Sequence, residues 1–192
     1  YYNNASTIDQ TIIAAAILYQ PALIIIDHGH FQYNSVMLGF SLLALVNLLY
    51  DNFCVAAILF TLSISFKQMA LYYAPIFFFY LLRICLRSPR THSVCILRFV
   101  SVGCSVIATL FLEFLRFVIF GGIGQIKQCL IRLFPFERGL FEDKVSNFWC
   151  ATNIFIKYKS IFSTSQLKTI ALVFTLIGIA PSCGLICFKP RK

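Results

Sequence analysis

The segment that decides the fold is Val94–Phe120, VCILRFVSVGCSVIATLFLEFLRFVIF, in which charged residues are rare. A membrane-spanning helix needs about 20 predominantly apolar residues, and this segment is long enough without help from its flanks. A second long apolar run, IALVFTLIGIAPSCGLICF, lies at Ile170–Phe188. Both runs predict transmembrane helices.

The composition of the whole chain points the same way. Of its 192 residues, 59% are hydrophobic and 12% are charged, and the mean hydropathy is +0.83. A typical soluble domain is about 45–50% apolar and about 25% charged. This composition excludes a soluble enzyme, a disordered tail and a secreted disulfide miniprotein. It predicts an all-α polytopic membrane protein, with the lipid bilayer as a partner.

Four shorter apolar runs precede the two long ones, so residues 1–192 are expected to form a single transmembrane domain of about six spans. The predicted spans are Ile12–Ile26, Val36–Tyr50, Phe53–Phe66, Met69–Leu82, Val94–Phe120 and Ile170–Phe188. The loop Asp27–Ser35 contains no Lys or Arg, whereas the loop after Leu82 is rich in Arg. Because cytoplasmic loops carry the excess of basic residues, Asp27–Ser35 and Gly121–Thr169 are predicted to be lumenal.

The net charge of +9, from 16 Lys+Arg against 7 Asp+Glu, has two possible explanations. The basic residues lie between apolar runs, which favours membrane topology and lipid headgroups. No nucleic-acid recognition module accompanies the charge, so no nucleic-acid partner is expected. The chain begins at Tyr1 rather than Met, and we expect it to be a fragment of a longer protein.

The first predicted lumenal loop concentrates polar side chains between two apolar runs. The residues that could contact a polar substrate are Asp27, His28, His30, Gln32 and Asn34. The alternative is a capped turn, in which Asp27 follows one helix and Asn34-Ser35 caps the next. We favour binding, because capping explains at most two of these residues. No metal site is expected, since the two histidines diverge on a helix and only Asp27 is at hand as a third ligand.

The second predicted lumenal loop alternates charged and aromatic residues. Its candidate substrate-binding residues are Arg138, Glu142, Asp143 and Lys144, because carboxylates accept hydroxyl hydrogen bonds and cations steady a phosphate. The alternative is an aromatic belt at the membrane interface, which does not explain the acidic pair. The role of Lys67, in a lumenal turn, stays open between a snorkelling side chain and a headgroup contact.

Three segments resemble one family. DHGHFQYN at Asp27–Asn34, FKQMALYYAPIFF at Phe66–Phe78 and RLFPFERGLFEDKVSNFWC at Arg132–Cys150 are similar in order and spacing to the dolichyl-phosphate-glucose-dependent α-1,3-glucosyltransferases of the endoplasmic reticulum. The second and third segments are most similar to the branch that adds the first glucose. The resemblance implies a multi-span, type C glycosyltransferase helix bundle in the endoplasmic-reticulum membrane, with its active site facing the lumen.

The resemblance also implies a reaction. Glucose would pass from dolichyl phosphate glucose to the terminal mannose of the dolichyl-pyrophosphate-linked oligosaccharide, in α-1,3 linkage, during N-glycan precursor assembly, and no cofactor is implied. The catalytic residues are unknown in this chain, because the family's presumed base lies upstream of the fragment, which we therefore expect to be inactive alone. The alternatives are a membrane transporter subunit, for which no inverted repeat is visible, and an inactive truncated remnant.

Overall fold

The computed structural model describes residues 6–86, 92–133 and 148–188, and these residues are mostly helical, with no strand among them. Nine α-helices follow one another within these described ranges. They are α1 (Thr7–Leu18), α2 (Asn34–Leu49), α3 (Phe53–Phe66), α4 (Ala74–Leu86), α5 (His92–Gly121), α6 (Ile123–Leu133), α7 (Phe148–Thr152), α8 (Tyr158–Ile161) and α9 (Thr164–Phe188). A π-helical segment, Leu23–Gly29, precedes α2, and a 3-10 segment, Gln68–Tyr73, precedes α4. An all-α membrane fold, as the composition predicts, is confirmed.

In the part of the chain that the structure describes, two helices are long and apolar enough to cross a bilayer, Val94–Gly121 within α5 and the whole of α9, with mean hydropathies of 2.1 and 2.3. These correspond to the two long runs of the sequence. A third crossing is possible where α1 and Leu23–Gly29 follow each other with a bend of 50°. The predicted span Ile12–Ile26 is therefore divided by a break after Leu18. Helices α2 and α3 are shorter apolar helices, and the count of six spans stays a prediction.

The chain divides into two compact units, of which the first comprises residues 1–71 and 102–109. Its main packing is the antiparallel hairpin of α2 and α3, joined by a turn in which Asp51 has a φ of 63°. Small residues lie in the centre of the hairpin, where Ala44, Ala56 and Ser63 have no exposed surface. Such residues let two membrane helices approach closely.

A buried pair of hydroxyls joins α2 to α3. The Ser63 hydroxyl donates to the main-chain carbonyl of Met37 at 2.8 Å, and the Oγ atoms of Ser41 and Ser63 lie 2.7 Å apart. Because a hydroxyl has one proton, and that of Ser63 is directed at Met37, Ser41 donates to Ser63. This chain of hydrogen bonds fixes how α3 sits along α2.

The second unit comprises residues 72–101 and 110–192, and in it α4 packs against α9. Trp149, on α7, is the centre of an aromatic cluster. Its ring lies edge-on to the rings of Tyr158 and Phe174, with centroids 5.7 and 5.8 Å away. The Tyr158 hydroxyl also lies 3.1 Å from Oγ1 of Thr152. The cluster attaches the short helices α7 and α8 to α9.

Candidate functional site

Within the first unit, Lys67 joins the turn after α3 to the polar segment that precedes α2. Its ammonium donates to the main-chain carbonyl of Gln32 at 3.1 Å and to Oδ1 of Asn34. These contacts bring together residues more than thirty positions apart in the chain. The sequence left the role of Lys67 open, and the structure places it in the candidate site.

The side chains of Gln32 and Asn34 also contact each other. The Asn34 amide nitrogen donates to Oε1 of Gln32 at 3.3 Å. Gln32 is exposed and Asn34 is half-buried. Two of the five residues predicted in the first loop are thus assembled by Lys67 into one hydrogen-bonded group, which we call the Lys67 cluster (Gln32, Asn34 and Lys67).

Asp27 has a different role from the other polar residues of this segment. It lies in the π-helical segment, is 4% exposed, and accepts hydrogen bonds from the main-chain N–H groups of Asn34 and of Ser35, the latter at 2.7 Å. These are orphan donors at the start of α2, which a carboxylate satisfies well. Capping therefore does occur, but the capping group is Asp27 rather than Asn34 or Ser35.

Two large residues, one on each side of Gln32 in the sequence, adopt left-handed backbone conformations. Phe31 has a φ of 52° and Tyr33 a φ of 56°, and their side chains are 72% and 59% exposed. Bulky residues rarely adopt positive φ, and such strain persists only where surrounding contacts impose it. Here the contacts are those of Asp27 and Lys67, which hold the chain on either side. The result is two exposed aromatic rings flanking Gln32 in the sequence.

The two predicted histidines lie on the same stretch. His28 is in the last turn of the π-helical segment and His30 follows its end, and both side chains are exposed. The structure does not bring them into the Lys67 cluster. Among the described residues, no group of three His, Cys, Asp or Glu side chains could hold a metal ion.

The remaining predicted site residues, Arg138, Glu142, Asp143 and Lys144, lie outside the described residues. The helices on either side of that segment are described. Helix α6 ends at Leu133, and α7 begins at Phe148 within the Trp149 cluster. The contribution of the four candidate residues to substrate binding stays a prediction.

The Lys67 cluster and its flanks combine the groups that bind a glycosyl phosphate. An ammonium attracts phosphate oxygens, and amides donate to and accept from hydroxyls. Exposed aromatic rings such as Phe31 and Tyr33 offer flat apolar faces to a sugar ring or to lipid. The described residues of this group do not include a carboxylate that is free to act as a base, since Asp27 is engaged by the start of α2.

The chain is similar to known proteins over its full length. The model of the ALG6, ALG8 glycosyltransferase family matches residues 1–192. The chain is 50% identical, over 192 residues, to dolichyl pyrophosphate Man9GlcNAc2 alpha-1,3-glucosyltransferase of Saccharomyces cerevisiae, covering 100% of this chain and 35% of that protein. It is 44% identical to the probable enzyme of that name in Schizosaccharomyces pombe, with 96% and 36% covered.

An animal relative gives a similar result. The protein of the same name in Pongo abelii is 40% identical over 179 residues, which are 93% of this chain and 35% of that protein. The chain thus spans about a third of the length of the curated relatives that it matches.

Proposed function

The chain belongs to the ALG6, ALG8 glycosyltransferase family, and from this premise we propose that it is part of an α-1,3-glucosyltransferase of N-glycan precursor assembly. The donor is dolichyl phosphate glucose, and the acceptor is the terminal mannose of the dolichyl-pyrophosphate-linked oligosaccharide. The observation that carries the proposal is the unbroken match of residues 1–192 to the family, together with the names of the relatives.

The names of the relatives support the acceptor in particular. They specify a dolichyl pyrophosphate oligosaccharide and an alpha-1,3 glucosyl transfer. The donor follows from the resemblance of the three sequence segments. The same argument supports a multi-pass position in the endoplasmic-reticulum membrane, with the Lys67 cluster and the segment around Glu142 and Asp143 facing the lumen.

The chemistry of the transfer needs two things from the protein. A mannose hydroxyl attacks the anomeric carbon of glucose and loses its proton to a base, while the departing dolichyl phosphate keeps the electron pair of the broken bond. Positive charge beside the phosphate stabilises this departure. The candidates for groups beside the phosphate are the Lys67 ammonium and the exposed side chains of His28 and His30, which precede the cluster in the sequence. We assign no base to the described residues.

A chimeric enzyme tests the proposed function directly. In it, residues 1–192 replace the matching segment of the Saccharomyces cerevisiae relative, which is 50% identical to them. The chimera is expressed in yeast that lacks this relative, and the lipid-linked oligosaccharides are separated by chromatography. We expect the glucose-free oligosaccharide to be converted into glucosylated forms. The control is the intact yeast relative expressed at the same level.

Two results would contradict the proposal. A chimera that accumulates in membranes at the control level but leaves the oligosaccharide unglucosylated would show that these residues cannot serve in the transfer. Glucosylation that continues without dolichyl phosphate glucose would contradict the donor. The first result would favour an inactive remnant.

A further inference from the structure

The direction of each hydrogen bond in the Lys67 cluster is determined by Lys67. An ammonium has three N–H donors and no acceptor, so the atom of Asn34 that faces it must be the side-chain oxygen. The structure agrees, because Lys67 donates to Oδ1 of Asn34. The amide nitrogen of Asn34 is then directed away from Lys67.

The same constraint passes to Gln32. The Asn34 nitrogen donates to Oε1 of Gln32, which fixes the orientation of the second amide and leaves its nitrogen, with two N–H groups, on the far side. In the described part of the chain, this nitrogen donates to no other residue. Gln32 is exposed, so both N–H groups are open to a ligand.

Lys67 keeps a donor of its own. Two of its three N–H groups are used, by the carbonyl of Gln32 and by Asn34. Lys67 as a residue is half-buried, and its ammonium is held in place by these two bonds. This third N–H group and the two N–H groups of Gln32 leave three donors open on the two side chains, and the open side-chain acceptor beside them is the second lone pair of Gln32 Oε1.

The backbone that presents these donors is also held. Asp27 binds the main chain at Asn34 and Ser35, and Lys67 binds it at Gln32. These contacts offset the conformational free energy of the left-handed backbone at Phe31 and Tyr33. A strained segment that is fixed at both ends keeps its shape before a ligand arrives, which lowers the cost of binding.

We propose that the Lys67 ammonium and the Gln32 side-chain amide form a subsite for phosphate oxygens of a prenyl-linked glycosyl substrate, with Asn34 as the positioning residue between them. The inference deepens the proposed function, on which it rests. A phosphate accepts hydrogen bonds at every oxygen and carries negative charge, and so matches a surface of donors beside a cation. A sugar hydroxyl both donates and accepts hydrogen bonds, so it does not require a surface made of donors.

Dolichyl phosphate, dolichyl pyrophosphate and uncharged dolichol are the probes, and their Kd values are measured with the purified chimera in lipid nanodiscs. Gln32→Glu is the decisive variant, because it keeps the oxygen that accepts from Asn34 but replaces the open donors with negative charge. We expect the Kd for a phosphorylated lipid to rise about tenfold or more, and that for dolichol to stay within about twofold.

Lys67→Met should raise the Kd for the same phosphorylated lipid by a similar factor. Lys67→Arg should restore part of the affinity, because arginine keeps the charge and the donors. Asn52→Asp is the matched control. It adds the same charge to an exposed side chain in the same unit, in the turn between α2 and α3 and outside the predicted spans, and should leave all three Kd values within about twofold.

The two phosphorylated probes distinguish the sources of the phosphate. If Gln32→Glu loses more affinity for dolichyl phosphate, the subsite belongs to the glucose donor. If it loses more affinity for dolichyl pyrophosphate, the subsite belongs to the acceptor lipid. Unchanged Kd values for both lipids in Gln32→Glu would overturn the inference, as would equal losses for dolichol. Because binding needs no turnover, the result is independent of whether the chimera transfers glucose.

Discussion

The hydroxyl of Ser63 offers a quantitative test of how the α2–α3 hairpin is held together. Ser63 is fully buried, at 0% exposure. It donates to the Met37 carbonyl at 2.8 Å and accepts from Ser41 at 2.7 Å. Replacing Ser63 with Ala removes both interhelical hydrogen bonds, and the side chain loses only its Oγ atom.

The expected cost follows from these two bonds. Interhelical hydrogen bonds in a bilayer contribute about 0.6 kcal/mol on average and up to about 1.7 kcal/mol. One part of the loss is recovered, because Ser41 lies four residues after Met37 and can turn its hydroxyl to that carbonyl. We therefore expect Ser63→Ala to lower the free energy of opening the hairpin by about 1 kcal/mol, which is about fivefold in the open population.

Amide hydrogen exchange of the chimera in nanodiscs, followed by mass spectrometry, measures this opening locally. Peptides from α2 and α3 should exchange about fivefold faster in Ser63→Ala. Thr61→Val is the matched control. Its hydroxyl is also buried but donates to the Ala57 carbonyl of its own helix, at 2.8 Å, so its removal breaks no interhelical bond.

A double-mutant cycle tests the reasoning further. Ser41→Ala and Ser63→Ala should show a coupling of about 0.6 kcal/mol or more, whereas Ser41→Ala and Thr61→Val should be additive within about 0.3–0.5 kcal/mol. If Ser63→Ala leaves exchange in α2 and α3 unchanged, or if the serine pair is as additive as the control pair, the hydroxyl chain does not hold the hairpin.

Three further predictions concern the polar segments. Asp27→Asn should speed amide exchange at the start of α2 and lower glucosyl transfer by the chimera, because an amide has one acceptor oxygen and its NH₂ group would face a main-chain donor. The control is Asp9→Asn at the start of α1, where the exposed carboxylate of Asp9 accepts from the main-chain N–H of Ser6 at 3.1 Å. This control should affect only α1, and equal effects of the two variants would refute the role of Asp27. Glycosylation acceptor sites engineered into Asp27–Ser35 should be modified and sites in residues 83–98 should not, as mobility shifts after glycosidase treatment will show; modification of the latter would reverse the predicted topology. In the second polar segment, Glu142→Gln or Asp143→Asn should slow transfer by about 10²-fold in whichever residue faces the substrate, and normal transfer by both variants would make the pair part of an interfacial belt.

The long apolar runs were the part of the fold that could be predicted best. Val94–Phe120 and Ile170–Phe188 lie within α5 and α9, which meet the length and hydropathy of a membrane span. A continuous apolar run needs little context to become a helix in a bilayer, because every backbone polar group must be satisfied within the segment. The break after Leu18 was not predicted, since the run Ile12–Ile26 is apolar on both sides of it.

The candidate site could be predicted only in part. The concentration of polar residues at Asp27–Asn34 marked the segment, but it gave the same weight to Asp27, which caps α2, and to Gln32 and Asn34, which meet Lys67. Which of these residues caps α2 and which contacts Lys67 depends on how α3 packs, because α3 brings Lys67 back to the segment. A contact across more than thirty residues leaves no periodicity in the sequence from which it could be inferred.

The double attachment of the segment before α2 has a consequence for variation in its length. Asp27 and Lys67 bind the main chain at positions 32, 34 and 35, so the number of residues between Gly29 and Asn34 is constrained as well as their identity. An inserted residue could not be absorbed without releasing one of these bonds. A side-chain substitution at constant length leaves these main-chain bonds in place, whereas single-residue insertions and deletions should be tolerated far less, and a library that varies both would separate the two effects.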